Sequence, residues 1–254
     1  MKCSVNILPA ILLLGLFVVA PSLRAAGTKT ETVQYSSGKE TVTGFVAAPE
    51  KVGRYPGVIV IHDWWGLTDW VKEQAVKVAE QDFVVIAVDL YRGKVATDVA
   101  SAQELMRGMP EEQVIRDLLA AFEYLGTRKD VARDHIGAMG WSMGGGYSLQ
   151  LAIHDPRLAA CVVNYGVLPT DPNNLQLIYA PVLGNFGAED RGITPADVQA
   201  FEKTMSNHGK RTDIKIYDGA GHGFENPNNQ AAYRPEAAAD AWTRTINFLN
   251  KSLR

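Results

Sequence analysis

The chain has 254 residues, of which 46% are hydrophobic and 21% are charged, and its formal net charge at pH 7 is −3. This balance is typical of a globular protein with a sizeable core and excludes a highly charged disordered chain. The mild acidity and the lack of a basic cluster argue against nucleic acid as a partner.

The first 25 residues are predicted to be a secretory signal peptide. A basic start at Lys2 precedes an apolar run over residues 7–20, and small residues then allow cleavage after Ala25 or Ala26. The run is short for a transmembrane span, and an uncleaved anchor is the alternative. We therefore expect a periplasmic or secreted protein in which residues 26–254 form one domain, with no stable membrane association after cleavage.

Cleavage would also change the charge and the thiol content of the protein. The loss of Lys2 and Arg24 takes the formal net charge from −3 to −5, and the loss of Cys3 leaves one cysteine, Cys161. A single thiol cannot form an intramolecular disulfide. Cys161 lies in an apolar stretch, so we expect it to be buried as a small apolar side chain.

Strand-like and helix-like stretches alternate along the remaining chain, which predicts an α/β fold with a mostly parallel central sheet and helices on both faces. The first two strands flank a turn at Ser37-Gly38-Lys39 and are expected to form an antiparallel hairpin. Strands are predicted at residues 30–35, 41–48, 55–62, 83–88, 135–139, 158–164, 181–186 and 212–217. Helices are predicted at residues 70–81, 98–106, 110–126, 147–154, 195–207 and 235–253.

The segment Gly140-Trp141-Ser142-Met143-Gly144-Gly145 joins a predicted strand to a predicted helix. A Gly-x-Ser-x-Gly pattern at such a joint is typical of a nucleophile elbow, in which a tight turn exposes the serine hydroxyl above the sheet. Ser142 is therefore the predicted nucleophile. The backbone N–H of Met143 would lie at the start of the helix and could bind a developing oxyanion.

A nucleophilic serine needs a base and an acid that orients the base, and in elbow-type hydrolases the acid precedes the histidine along the chain. Asp190, in the loop after the strand at 181–186, is the predicted acid, and the neighbouring Glu189 is the alternative. His222 is the predicted base, because small residues surround it in a loop after the last strand. His62, which opens the loop after the strand at 55–62, is the other histidine that could have a role.

The segment His62-Asp63-Trp64-Trp65-Gly66 follows the predicted central strand. Elbow hydrolases take their second oxyanion donor from the loop at this position, so the Trp64 N–H is assigned to pair with that of Met143. The alternative is that the two tryptophans pack in the core. Aromatic residues near strand ends indicate an aromatic-walled pocket; they are Trp64, Trp65, Tyr91, Trp141 and Tyr165.

From about residue 30 to about residue 250, the chain resembles the dienelactone hydrolase family of the α/β-hydrolase fold. The segments that carry the resemblance are His62-Asp63-Trp64-Trp65-Gly66, Val88-Asp89-Leu90-Tyr91, Gly140-Trp141-Ser142-Met143-Gly144-Gly145, Phe186-Gly187-Ala188-Glu189-Asp190, Gly221-His222-Gly223-Phe224 and the stretch at 233–242.

The resemblance implies a triad of Ser142, Asp190 and His222, oxyanion donors at Trp64 and Met143, and a modulating role for Asp63. With Trp65 and Tyr91, these positions would form the substrate site.

Two departures from the family pattern bear on the expected chemistry. Many members have cysteine where this chain has Ser142, so serine-hydrolase behaviour is expected. The name-giving enzymes place an arginine near Asn226 to hold a substrate carboxylate, and Arg92 or Lys94 is the candidate to compensate. Dienelactone itself is therefore not the expected substrate, whereas a small-molecule ester or lactone is.

Other chemistries lack support in the sequence. It contains no Gly-rich phosphate loop, Rossmann fingerprint, His-Glu-x-x-His or Cys-x-x-Cys pattern, so no cofactor and no metal are expected. The residues thus predict a carboxylic-ester or lactone hydrolase that forms an acyl-enzyme. A non-catalytic binding protein of the same fold, and an acyltransferase that uses the same nucleophile, are the alternatives.

Overall fold

The computed structural model describes residues 27–254, and the predicted signal peptide lies outside them. Eight strands form one sheet in the order β1-β2-β4-β3-β5-β6-β7-β8. The strands are Thr28–Ser37 (β1), Glu40–Pro49 (β2), Tyr55–Ile61 (β3), Val84–Val88 (β4), Val131–Trp141 (β5), Ala160–Asn164 (β6), Val182–Gly187 (β7) and Thr212–Tyr217 (β8). The helices are Asp69–Ala79 (α1), Val99–Arg107 (α2), Glu111–Thr127 (α3), Met143–His154 (α4), Pro172–Leu175 (α5), Pro195–Asn207 (α6) and Pro235–Leu253 (α7).

The sheet is antiparallel at one edge and parallel elsewhere. β1 pairs with β2 and β2 pairs with β4 in antiparallel register, whereas β4, β3, β5, β6, β7 and β8 are successively parallel. This confirms the predicted hairpin and the mostly parallel sheet. β4 is buried throughout, which explains its continuous run of apolar residues.

Helices cover both faces of the sheet and divide the core into two clusters. One cluster contains residues from α3, α4 and α6, such as Leu118, Leu149 and Phe201. The other contains residues from α1 and α7, such as Val71 and Leu249. Cys161 is buried in β6, as predicted, and burial raises the pKa of its thiol.

The largest departures from the predicted bounds are the starts of β5 and α4, and the structure adds one element. β5 begins at Val131, and α4 begins at Met143, directly after Ser142. Glycines hide the start of α4 in the sequence because they are poor helix formers. A Cβ on Gly144 would overlap the carbonyl oxygen of Ile61, so this glycine allows the helix to pack against the backbone at the end of β3. The short helix α5 was not predicted.

The parallel strands direct their carboxyl ends to one edge of the sheet, where ligands bind in open α/β folds. The loops after β3, β4, β5, β7 and β8 therefore lie at that edge. Among the described residues, no helix has the length and apolarity that a membrane span requires.

Candidate active site

The turn between β5 and α4 exposes the hydroxyl of Ser142. Ser142 has φ = 54° and ψ = −117°, a conformation that non-glycine residues rarely adopt. Two backbone hydrogen bonds hold the turn: the Ser142 N–H donates to Asn164 O at 2.9 Å, and the Gly146 N–H donates to Ser142 O at 3.1 Å. The surrounding structure thus maintains the sharp turn that the Gly-x-Ser-x-Gly pattern predicts.

Ser142, His222 and Asp190 lie in one hydrogen-bonded chain. His222 Nδ1 is 2.7 Å from Asp190 Oδ2, and His222 Nε2 is 2.7 Å from Ser142 Oγ. A carboxylate only accepts hydrogen bonds, so Nδ1 is assigned the hydrogen and Nε2 is left to accept from the serine hydroxyl. The alternative acid, Glu189, is exposed. The structure therefore places Asp190, and not Glu189, behind the imidazole.

Asp190 is buried and its two oxygens have separate partners. Oδ2 accepts from His222, while Oδ1 accepts from the backbone N–H groups of Gly192 at 2.8 Å and Ile193 at 3.0 Å. Burial alone would raise the pKa of this carboxyl. The hydrogen bonds from His222 and from the two N–H groups outweigh burial and lower the pKa below its usual value. Asp190 is thus held ionised and fixed in orientation.

The two predicted oxyanion residues lie beside Ser142 on the wall of the same cavity. Met143 is the first residue of α4, so its N–H precedes the first intrahelical hydrogen bond and needs another acceptor. Tyr91 connects the two residues, because its hydroxyl lies 3.2 Å from Trp64 O and 3.5 Å from Met143 Sδ. Asp63 shapes the Trp64 loop by accepting the Trp65 N–H at 2.9 Å.

Asp63 and His62 have different environments within this loop. Burial raises the pKa of Asp63 to about 6, against the opposing hydrogen bond from Trp65. His62 is fully buried, and burial lowers its pKa to about 4. Its Nδ1 lies 2.6 Å from Asp63 O and its Nε2 lies 3.3 Å from the Leu90 N–H. His62 is therefore a neutral connector between two loops and lies apart from the cavity wall.

A cavity of about 820 Å³ opens above Ser142. Trp64, Trp65 and Tyr165 line it, as the aromatic pattern predicts, whereas Trp141 packs behind the serine against the ring of Trp70. The other lining residues are Asp63, Thr68, Met106, Glu111, Met143, Gly146, Tyr147, Gln150, Val167, Leu168, Pro169, His222, Gly223, Asn226, Asn228 and Asn229.

Comparison with known proteins places this chain in a family. The sequence profile described as "Dienelactone hydrolase family" matches residues 42–253. The chain belongs to the dienelactone hydrolase family.

Relatives of this dienelactone hydrolase family member cover most of its length. A protein of Bradyrhizobium sp named "Probable 2-oxo-3-(5-oxofuran-2-ylidene)propanoate lactonase" is 30% identical over 230 residues, which cover 85% of this chain and 92% of that protein. A "Putative carboxymethylenebutenolidase" of Methylorubrum extorquens is 31% identical over 226 residues, covering 83% of this chain and 77% of that protein.

Solved structures of the family have the same fold. A dienelactone hydrolase-like promiscuous phosphotriesterase, P91, from metagenomic libraries superimposes with a TM-score of 0.83 at 25% identity, covering 89% of this chain and 99% of that one. A "Putative Dienelactone Hydrolase" from Klebsiella pneumoniae gives a TM-score of 0.82 at 24% identity, with the same coverage. These matches confirm the predicted α/β-hydrolase fold.

The position of Arg92 differs from the sequence expectation. Arg92 is not among the residues that line the cavity. Its guanidinium lies 2.7 Å from Asp117 and 3.0 Å from Glu40, and Asp117 is buried. This placement runs against the expectation that Arg92 contacts substrate, because an ion pair with a carboxylate of α3 holds the side chain away from the cavity wall. Tyr91 also lies behind the wall, where it contacts Trp64 and Met143.

Glu225, three residues after His222, is a buried carboxyl beside the site that the sequence patterns did not predict. Its carboxyl group is buried although the residue as a whole is partly exposed. The Trp141 indole N–H donates a hydrogen bond to Oε2 at 2.9 Å. The side-chain amide of Asn164 lies 3.2 Å from Oε1. Burial raises the pKa of Glu225 to about 8. Glu225 thus connects the His222 loop to Trp141, which precedes the elbow serine, and an acidic residue beside an apolar Gly-Phe pair was its one signal in the sequence.

The titratable residues of the described chain do not form a metal centre. Across residues 27–254, no three histidine, cysteine, aspartate or glutamate side chains are grouped so that they could hold an ion. The hydrogen-bonded chain of Ser142, His222 and Asp190 suits nucleophilic chemistry with a proton relay.

Proposed function

We propose that this chain hydrolyses carboxylic esters or lactones through an acyl-enzyme on Ser142. The observation that carries the proposal is the relay of two 2.7 Å contacts from Ser142 through His222 to Asp190, which opens into a large cavity. Membership of the dienelactone hydrolase family and the lactonase and butenolidase names of its relatives support the same reaction class.

In the first half-reaction, Ser142 Oγ attacks the carbonyl carbon while its proton passes to His222 Nε2. The carbonyl electron pair moves to oxygen, and the resulting oxyanion accepts hydrogen bonds from the Trp64 and Met143 N–H groups. Collapse of this intermediate breaks the bond to the leaving alkoxide, which takes the proton from Nε2. Asp190 keeps the imidazole in the required tautomer and stabilises its charged form.

In the second half-reaction, water attacks the acyl carbon and gives its proton to His222. The intermediate collapses to the free acid, and Ser142 recovers its proton from Nε2. The His222 side chain is 45% exposed, so water can reach the imidazole once the alcohol has left.

Removal of the nucleophile tests the proposal. Ser142→Ala is expected to lower kcat for short 4-nitrophenyl esters by about 10⁶-fold, as in serine hydrolases of known mechanism. Ser206→Ala, which removes an exposed hydroxyl on α6, is the matched control and should behave as wild type.

A fluorophosphonate reagent should add one adduct to the wild-type protein and none to Ser142→Ala, as measured by intact mass. Wild-type turnover by Ser142→Ala, or an adduct elsewhere, would contradict the mechanism. Products counted in the presence of competing alcohols separate hydrolysis from acyl transfer.

We also propose that the protein is exported, with residues 1–25 removed on the way. The apolar run at residues 7–20 and the small residues before position 26 support this. N-terminal sequencing of the protein from a periplasmic or extracellular fraction should start near residue 26. Recovery of the full-length chain from the cytoplasm would contradict export.

A further inference from the structure

The charges on the cavity wall have one sign. The described residues that line it include Asp63 and Glu111 but neither a lysine nor an arginine. The pKa of Asp63 is raised only to about 6, so this carboxyl is ionised at pH 8. Glu111 is exposed, at the first turn of α3. Any negatively charged substrate group would therefore meet two carboxylates and find no cation.

Neither of the two cations suggested by the sequence, Arg92 and Lys94, lines the cavity. Arg92 contacts Asp117 and Glu40, and release of its guanidinium would leave the buried Asp117 carboxylate without this partner. Breaking a buried ion pair is costly because the remaining charge stays desolvated. Arg92 is thus unsuited to swing into the cavity as a carboxylate ligand.

The remaining wall suits an uncharged and mainly apolar molecule. Trp64, Trp65, Tyr147 and Tyr165 supply aromatic surface, and apolar residues continue it to the mouth; these are Met106, Val167, Leu168 and Pro169. Val167 is 67% exposed, so the apolar surface reaches the solvent. Neutral amides supply the polar contacts, from Gln150, Asn226, Asn228 and Asn229. The volume of about 820 Å³ lies in the range that holds drug-sized ligands.

We propose that the cavity takes uncharged, mainly apolar esters or lactones and discriminates against substrates that carry a carboxylate. This inference rests on the proposed hydrolytic function. The physical basis is that a carboxylate entering the cavity loses water without gaining a cationic partner, while Asp63 and Glu111 repel it. Uncharged apolar esters gain contact with the aromatic wall and avoid both the desolvation and the repulsion.

A matched pair of substrates tests the role of charge. The 4-nitrophenyl half-ester of glutaric acid carries a carboxylate, and its methyl ester has the same chain without charge. At pH 8 and low salt, kcat/KM for release of nitrophenolate is expected to be at least about tenfold higher for the neutral ester. The ratio should fall as salt screens the repulsion.

Three variants connect the discrimination to the wall. Glu111→Gln removes one carboxylate and should narrow the ratio about two- to fivefold. Glu112 is the adjacent exposed residue and does not line the cavity, so Glu112→Gln is the control. It should leave the ratio of the two kcat/KM values unchanged. Gln150→Lys adds a cation on α4 and should raise kcat/KM for the anionic ester, relative to that for the neutral ester, by about fivefold or more.

The outcomes separate the two proposals. If wild type hydrolyses both esters equally well, or prefers the anionic ester, and Ser142→Ala abolishes both activities, the charge inference is wrong while the hydrolytic function stands. If neither ester is hydrolysed and a fluorophosphonate leaves Ser142 unmodified, the function fails and the inference fails with it.

A second experiment compares substrates of different apolar size. The value of kcat/KM should be higher for 4-nitrophenyl 3-phenylpropanoate than for 4-nitrophenyl acetate.

Discussion

The substitution Asp190→Asn would exchange a carboxylate oxygen for an amide nitrogen and so change the tautomer of His222. The side chain at 190 has three hydrogen-bond partners: the Gly192 and Ile193 N–H groups at Oδ1, and His222 Nδ1 at Oδ2. In Asp190→Asn the amide oxygen stays with the two N–H donors, because an NH₂ group cannot accept from them. The amide NH₂ then faces Nδ1 and donates to it.

This arrangement moves the imidazole hydrogen to Nε2, where it blocks acceptance of the Ser142 proton. We expect kcat for a neutral 4-nitrophenyl ester to fall by about 10⁴-fold, the size of loss that the wrong imidazole tautomer causes in other triads. KM should change little, because Asp190 does not line the cavity.

Steady-state kinetics at pH 8, with fluorophosphonate labelling rates as a second measure, test this expectation. Glu189→Gln is the matched control: it neutralises the exposed neighbouring carboxylate and should retain wild-type activity. A loss below tenfold in Asp190→Asn, or an equal loss in Glu189→Gln, would refute the argument from the hydrogen-bond partners.

Three further substitutions test the surrounding structure. The pKa of Glu225 is about 8 in the folded protein, against the ordinary value of 4.5 in the unfolded chain. The protonated carboxyl therefore contributes fully to the free energy of unfolding below pH 4.5, and this contribution is lost as the pH rises through 8. Glu225→Gln cannot ionise, so it should abolish this pH-dependent loss of stability, which amounts to up to about 5 kcal/mol. Urea unfolding at pH 5, 7 and 9 tests this: a difference in the free energy of unfolding between variant and wild type that stays the same at all three pH values would contradict it. Gly144→Ala should destabilise by about 1–3 kcal/mol or more through overlap with the β3 backbone, whereas Gly146→Ala, with its nearest atoms at 3.3 Å, should cost clearly less in a thermal melt. Arg92→Met should lower the free energy of unfolding by about 2–3 kcal/mol, because Asp117 keeps its hydrogen bond from Ser37 but loses its ion pair. The variant should keep kcat/KM for a neutral ester; a selective loss of kcat/KM would return Arg92 to the substrate site.

The order of strands and helices followed from residue patterns that act over short distances. A run such as Gly57-Val58-Ile59-Val60-Ile61 favours a buried strand wherever it occurs, and Pro195 starts a helix where it was predicted. The elbow at Ser142 was recognisable for the same reason, because a strand, a glycine-flanked serine and a helix are contiguous in the chain. Glycines limited this reading only at the start of α4, where close packing with β3 outweighs helix propensity.

The choice among chemically equivalent partners came instead from contacts between distant segments. Asp190 and Glu189 are adjacent carboxylates, and the folded loop turns one toward His222 and the other to solvent. Arg92 had the charge to bind a substrate carboxylate, yet Asp117 lies 2.7 Å away across the fold. Pairing, burial and the pKa values that depend on them arise when side chains far apart in the chain share one low-dielectric space, and residue order alone carries no measure of that proximity.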